Sequence, residues 1–285
     1  MAFKKEEKSM DKRILTVQDI SCVGQCSLTV ALPVLSACGV ETAVLPSAVL
    51  STHTGGFTGY TFRDLTADMP AIAQHWKNAG IGFDAVYTGY LGSAEQVRYV
   101  REIMDALLMP GGVRIVDPAM ADNGKLYAGF EAAFVEKMKE LAFSADYLLP
   151  NITEAALLTG MEYRESYDAG YVKQLTNALL ARGVGTVVLT GVSYAPDTTG
   201  VAVCTREESW YFRHERLARS CHGTGDAFAS AFTGLLCRGF SAVDAAATAA
   251  EFVLACIKRT EPEHWYGVRF EPLLGSLAAK AGERE

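Results

Sequence analysis

The chain has 285 residues, 49% of them hydrophobic, and a net charge of −7, ample apolar content for a core in one large domain. Its acidic balance, without a block of basic residues, excludes a nucleic-acid groove or an anionic membrane surface as the expected partner. No uninterrupted apolar run reaches the roughly 18 residues that span a bilayer. The seven cysteines, at 22, 26, 38, 204, 221, 237 and 256, are scattered and odd in number. They fit a reducing cytoplasm better than a disulfide framework.

The first segment, "MAFKKEEKSMDKR", is charged and has no secretory apolar stretch behind it. Residues 1–12 are expected to form a flexible tail and residues 13–285 a single domain. "RILTV" (13–17) reads as a strand. From Ser27 onward Leu28, Ala31, Leu32 and Leu35 make a helical stripe, with Pro33 inside it predicting a late start or a kink. Further strands are expected at 41–46, 84–89, 113–118, 145–151 and 185–191. Helical patterns fall between most of them, around 65–79, 94–108, 131–142 and 168–182. "GVAVCT" and "SWYFRH" (200–205 and 209–214) predict a hairpin near a sheet edge, followed by helices over about 226–238 and 243–259. Strands alternating with helices imply an α/β fold: a mostly parallel central sheet with helices on both faces, a three-layer sandwich.

Several strands end alike. "VDPAM", "LLPNITE" and "VLTGVS" place polar residues just past an apolar run. Ligands of open α/β sheets bind outside the carboxyl ends of the strands. Asp117, Asn151, Glu154 and Thr190 are therefore expected along one edge.

The most informative stretch is "RSCHGTGDAFASAF" (219–232). Phe228, Phe232, Leu235 and Leu236 share a helical face, so a helix is expected to begin near Gly225 or Asp226. A helix start offers unpaired N–H groups and partial positive charge, an anion site. Gly223 and Gly225 allow close backbone approach, and Thr224 adds a hydroxyl. Two roles then fit Asp226: a capping or first-turn acid, or the acceptor of a proton from a hydroxyl attacking a bound phosphate. The dinucleotide fingerprint and the P-loop motif are both absent.

"GTGDAFASAF" resembles the C-terminal signature of the ribokinase superfamily. Together with "STHTGG", "YTGYLGS", "DPAMADNGKLY" and "PNITEAALLTG" it resembles the pyridoxal kinases of vitamin B6 salvage. The resemblance runs from about Arg13 to about Phe270 and implies a ribokinase-like fold. The implied reaction is transfer of the γ-phosphoryl group of ATP to the 5′-hydroxyl of pyridoxal, pyridoxamine or pyridoxine. It implies Asp226 as base, with the amides of Gly223, Thr224 and Gly225 as the anion hole. Asp117 and Glu154 are implied as acids acting on Mg²⁺, partly through water, as hard carboxylate oxygens suit that ion. Asn151 and Thr190 are implied at the ATP phosphates, with Lys125 in a mobile flap (120–129) above them. Asp19, His53, Thr54 and Tyr90 are implied around the vitamer, Tyr90 packing on its ring. The resemblance also admits a monovalent cation, and it implies a homodimer.

Asp19 departs from the serine common at this position and is similar instead to the hydroxymethylpyrimidine kinases. Hydroxymethylpyrimidine is therefore an alternative substrate, and a non-catalytic B6-binding protein on the same scaffold is a further alternative. Retention of Asp226, Glu154 and Asp117 together argues against a mere binder. Cys221, five residues before Asp226, reads as a small packed residue rather than a reactive thiol.

Overall fold

The computed structural model describes residues 12–283; residues 1–11 of the expected tail lie outside the described residues. In chain order the elements are β1 (Arg13–Ser21), α1 (Leu28–Ala37), β2 (Glu41–Leu50), β3 (Phe62–Asp64), α2 (Met69–Asn78), β4 (Phe83–Thr88) and α3 (Ala94–Leu107). Then follow β5 (Leu108–Val116), the short hairpin β6 (Ala121–Asp122) and β7 (Lys125–Leu126), α4 (Ala132–Ala142), β8 (Tyr147–Leu148), α5 (Ile152–Thr159) and α6 (Ala169–Ala181). The chain closes with β9 (Thr186–Ala195), β10 (Thr198–Cys204), β11 (Ser209–Glu215), α7 (Thr224–Cys237), α8 (Ala242–Arg259) and α9 (Leu274–Gly282).

One sheet joins nine strands in the order β11-β10-β9-β8-β5-β4-β1-β2-β3. The six strands from β9 to β2 are parallel. The β10–β11 hairpin and β3 add antiparallel edges. Parallel strands covered on both faces must be apolar on both. Leu15, Val17, Val86 and Val116 accordingly face a layer built from α2 to α6. Ile14, Ala85, Tyr87 and Ile115 face the opposite layer of α1, α7, α8 and α9.

The differences from the sequence reading have local causes. The helix from Ser27 starts at once, at Leu28, and runs through Pro33. The strand expected over 145–151 shrinks to Tyr147–Leu148, because Pro150 has no N–H to continue a ladder. Helix α5 was not expected. Six of its eight residues are buried, so it carries no amphipathic stripe to reveal it. The sheet brings the carboxyl ends of β1, β4, β5, β8 and β9 to the same edge as the start of α7.

Candidate active site

Helix α7 begins at Thr224, slightly ahead of the expected Gly225 or Asp226. Its N-cap is Gly223, with φ 78°, and a side chain there would collide with the Gln25 carbonyl. Only glycine allows both the left-handed turn and this approach. The first intrahelical bond at this end comes from the Ala227 amide, 2.9 Å from the Gly223 oxygen. The amides of Thr224 and Gly225 therefore point out of the helix start toward an anion. A Cβ on Gly225 would stand in open space. The Thr224 hydroxyl is turned away, donating to the Cys221 carbonyl at 3.2 Å.

Asp226 is the third residue of α7 and caps nothing. Burial raises its pKa to about 6, and the charge of Asp19 pushes the same way; the Ser27 amide, from the loop before α1, acts to lower it. A carboxyl that titrates near neutrality is a competent proton acceptor.

Asp117, just past β5, is held by its N–H on the Thr88 carbonyl at 3.1 Å. Burial, then the charges of Glu154 and Asp226, push its carboxyl far above the usual range. Glu154 is 3% exposed and forms a capping box with Asn151: Asn151 Oδ1 accepts the Glu154 N–H at 2.9 Å and Glu154 Oε2 accepts the Asn151 N–H at 2.9 Å. Glu154 Oε1 accepts the amides of Met120 at 3.0 Å and Ala121 at 3.4 Å. Burial lifts Glu154 to about 7 in spite of these bonds. Asn151 Nδ2 donates to the Ala121 carbonyl at 2.7 Å, so both ends of that side chain are engaged within the protein. Asn151 bridges Thr190 in backbone pairing, and the Thr190 hydroxyl donates to the Pro150 carbonyl at 3.3 Å. The four strand-end residues thus lie together.

The flap is the β6–β7 hairpin. Asn123, with φ 50°, and Gly124, with φ 76°, turn it, and the Gly124 N–H donates to Thr153 Oγ1 at 3.0 Å. Lys125 stands exposed on β7. Tyr127, which sequence reasoning did not single out, is raised by burial and by the charges of Glu154, Asp117, Asp122 and Asp226. The residue is 41% exposed.

On the other side of Asp226 lies Asp19, 4% exposed. Ser21 Oγ donates to its Oδ2 at 3.0 Å, while burial raises its pKa. Tyr90 is raised by burial and then by the charge of Asp19. One face of its ring is occupied by Phe130, stacked at 5.4 Å. The Cys26 thiol is raised by burial and then by the charges of Asp226 and Asp19. Thr54 is exposed. His53 departs from the expected contact with a ring substituent. Its Nδ1 accepts the Gly55 N–H at 3.0 Å, so Nε2 carries the proton and donates to the Tyr266 carbonyl at 2.7 Å. Both nitrogens are spent on the protein, and the ring packs on Phe57 and His222.

A groove of about 510 Å³ lined by Leu217, Ala218, Arg219, Ile257 and Lys258 lies on the chain leading into the anion loop. Arg219 and Lys258 line it, Lys258 being paired with Glu215. Their signal was absent from the sequence, because Lys258 lies 39 residues beyond Arg219. Among the described residues no group of three or more His, Cys, Asp or Glu side chains has metal-holding geometry.

A family model for phosphomethylpyrimidine kinase matches residues 32–268. A pyridoxine/pyridoxal/pyridoxamine kinase of Bordetella avium is 30% identical over 268 residues, 86% of this chain and 85% of its own. The crystal structure of pyridoxal kinase from Lactobacillus plantarum superposes with a TM-score of 0.88 at 33% identity, covering 95% of this chain and 98% of that one. A Bacteroides thetaiotaomicron protein assigned to the phosphomethylpyrimidine kinases and crystallised with pyridoxal gives a TM-score of 0.87 at 36% identity, covering 93% and 95%. The ribokinase-like sandwich is the architecture these structures share with this chain.

Proposed function

The chain belongs to the phosphomethylpyrimidine kinase family, and we propose that it transfers the γ-phosphoryl group of ATP to the 5′-hydroxyl of a B6 vitamer: pyridoxal, pyridoxamine or pyridoxine. The observation that carries this reading is the placement of Asp226. It stands at the start of α7 beside outward-facing amides, caps nothing, and is raised to about 6. Its neighbours Asp19 and Tyr90 form a pocket wall suited to a small heteroaromatic alcohol.

In this reading the vitamer hydroxyl gives its proton to Asp226 as the oxygen bonds to the γ-phosphorus. The amides of Gly223, Thr224 and Gly225 face the charge on the transferring group. The groove at Leu217–Arg219 and Ile257–Lys258 receives the base of ATP on its apolar floor, with the two cations at its rim. Asp117 and Glu154 fit Mg²⁺ in chemistry: hard oxygens whose mutual repulsion a cation relieves. Glu154 already accepts three amides, so it would hold the ion through water. When bound, Mg²⁺ neutralises charge that builds on the phosphates.

The match to the phosphomethylpyrimidine kinase model supports hydroxymethylpyrimidine as a second substrate reading. ADP release measured with the three vitamers and hydroxymethylpyrimidine tests both. Turnover of a vitamer supports the first reading, turnover of hydroxymethylpyrimidine alone supports the second, and turnover of none refutes both. A homodimer is part of the proposal; light scattering at the monomer mass would refute it. No helix among the described residues is long and apolar enough to cross a membrane.

A further inference from the structure

Two imidazoles lie side by side where the 51–56 loop meets the anion loop. The ring centres of His53 and His222 are 5.1 Å apart and the rings are tilted by 46°. His53 is 4% exposed and spends Nε2 on the Tyr266 carbonyl and Nδ1 on the Gly55 amide. His222 is exposed, and among the described residues neither of its ring nitrogens bonds to a protein atom. Its position is nonetheless fixed. The His222 carbonyl accepts the Val268 N–H at 2.9 Å, on the same segment as the Tyr266 carbonyl that holds His53. A Cβ on Gly55 would stand 2.6 Å from His222 Cε1 and 2.7 Å from its Nδ1, so the imidazole lies on the bare face of that glycine. His222 directly precedes Gly223, the N-cap of α7.

We propose that His222 is the imidazole that meets the vitamer, binding a polar substituent of the pyridine ring through a free nitrogen. This inference rests on the reading of the site as a B6-vitamer pocket. Desolvation and the neighbouring His53 hold the His222 pKa below the ordinary histidine value, so at neutral pH the ring is uncharged. A neutral imidazole offers one N–H donor and one lone pair. A ring hydroxyl or an aldehyde takes the N–H, and an aminomethyl group donates to the lone pair. His53 stands behind as a buried plate, its tautomer fixed by Gly55 and Tyr266. A side chain held in place before the substrate arrives loses little freedom on binding. With its alcohol at Asp226 and a ring substituent at His222, the vitamer is held from both sides of Gly223 in the chain.

The test is steady-state kinetics of the full chain, with equilibrium binding of pyridoxal and pyridoxamine in the absence of ATP, for His222→Phe, His222→Asn and His222→Gln. Phenylalanine keeps an aromatic ring on Gly55 and His53 but offers no donor or acceptor. In His222→Phe the vitamer KM and Kd are expected to rise about tenfold, with kcat and the ATP KM within about twofold of wild type. The amides of Asn and Gln return hydrogen-bonding atoms near the places of Nδ1 and Nε2. One of these two variants should recover the vitamer Kd to within about threefold of wild type. All three variants should keep Tm within about 3 °C, because the side chain is exposed. Wild-type vitamer KM and Kd in His222→Phe would overturn the inference and leave the kinase reading intact. So would a loss that neither amide variant recovers, which assigns the ring a packing role. So would a fall in kcat at unchanged KM, which assigns it to phosphoryl transfer. A wild-type protein that phosphorylates no vitamer would remove the kinase reading first, and this inference with it.

Discussion

Glu154 Oε1 lies 3.0 Å from the amide nitrogen of Met120, so one buried carboxylate both caps α5 and tethers the base of the flap. Its other oxygen closes the capping box at Asn151. The start of α5 and the entry to the β6–β7 hairpin therefore move as one unit. A cation drawn to Glu154 would act on a group that also anchors the entry to the hairpin.

Glu154→Ala strands the amides of Met120, Ala121 and Asn151 in a buried place. Each unsatisfied buried donor costs about 1–3 kcal/mol; water entering the space left behind lowers the sum. A loss of about 3 kcal/mol is expected, read by calorimetry as a Tm lower by roughly 6–12 °C. The Mg²⁺ concentration for half-maximal activity should rise and turnover should slow. An Ala variant with wild-type Tm and wild-type Mg²⁺ dependence would refute the tether and the metal role together.

The same acids set a pH dependence of stability. Asp226 titrates at about 6 and Glu154 at about 7, and Asp19 and Asp117 are also raised. A carboxyl whose folded pKa exceeds its unfolded value binds more protons folded, so its contribution is fully present below the unfolded pKa and lost as pH rises through the folded one. Stability should therefore fall between about pH 4 and about pH 7. Asp64 and Glu140, lowered by Thr66 and Lys137, act oppositely, but they are exposed and screened by water. Asp226→Asn removes one titrating group and keeps the shape of the side chain. Its Tm is expected to exceed wild type at pH 8 and to match it near pH 4. A variant no more stable than wild type at pH 8 would contradict the assigned burial.

What was legible in the sequence follows from distance along the chain. The anion loop was legible because glycines, acid and apolar helical stripe are adjacent in "HGTGDAFASAF". The gathering of Asp117, Asn151, Glu154 and Thr190 was legible because parallel strands must end on one edge. The partners of Glu154 were not, since Met120 and Ala121 lie 34 and 33 residues upstream. Nor was the saturation of His53, whose partner Tyr266 lies 213 residues away. Nor was the positive φ of Ser27, whose backbone bridges Ile20 only in the packed fold.

Asp19 bears on vitamer choice. At neutral pH pyridoxamine carries an aminomethyl cation and pyridoxal a neutral carbonyl group. The Asp19 carboxylate is buried, and the acids Asp226 and Asp19 both act on the pocket side chain Cys26. A cation entering this wall gains a charge-assisted hydrogen bond. Pyridoxamine is expected to be used at least as well as pyridoxal, and Asp19→Ser should shift the kcat/KM ratio toward pyridoxal. An unchanged ratio in the variant would show that Asp19 meets a part of the ring common to both substrates.

Asp226 decides between mechanism and scaffold. The primary alcohol of a vitamer is a weak nucleophile, and its proton must leave as the phosphoryl group arrives. Asp226 is beside the outward amides of α7, so hydroxyl and γ-phosphate meet between carboxylate and helix start. General-base help is worth about 100- to 10,000-fold. Positioning and electrostatics supply most of the rest and survive a single change here. Asp226→Asn keeps the shape, but it cannot take a proton. Its kcat is expected to fall about 100-fold or more, with ATP and vitamer binding within a few-fold of wild type. The wild-type kcat should rise with pH through about 6, and this limb should vanish from the residual activity of the variant. As Asp226 caps no helix, a purely structural role would be served equally well by asparagine. A folded Asp226→Asn protein with near-normal turnover would therefore place the proton elsewhere and refute the mechanism.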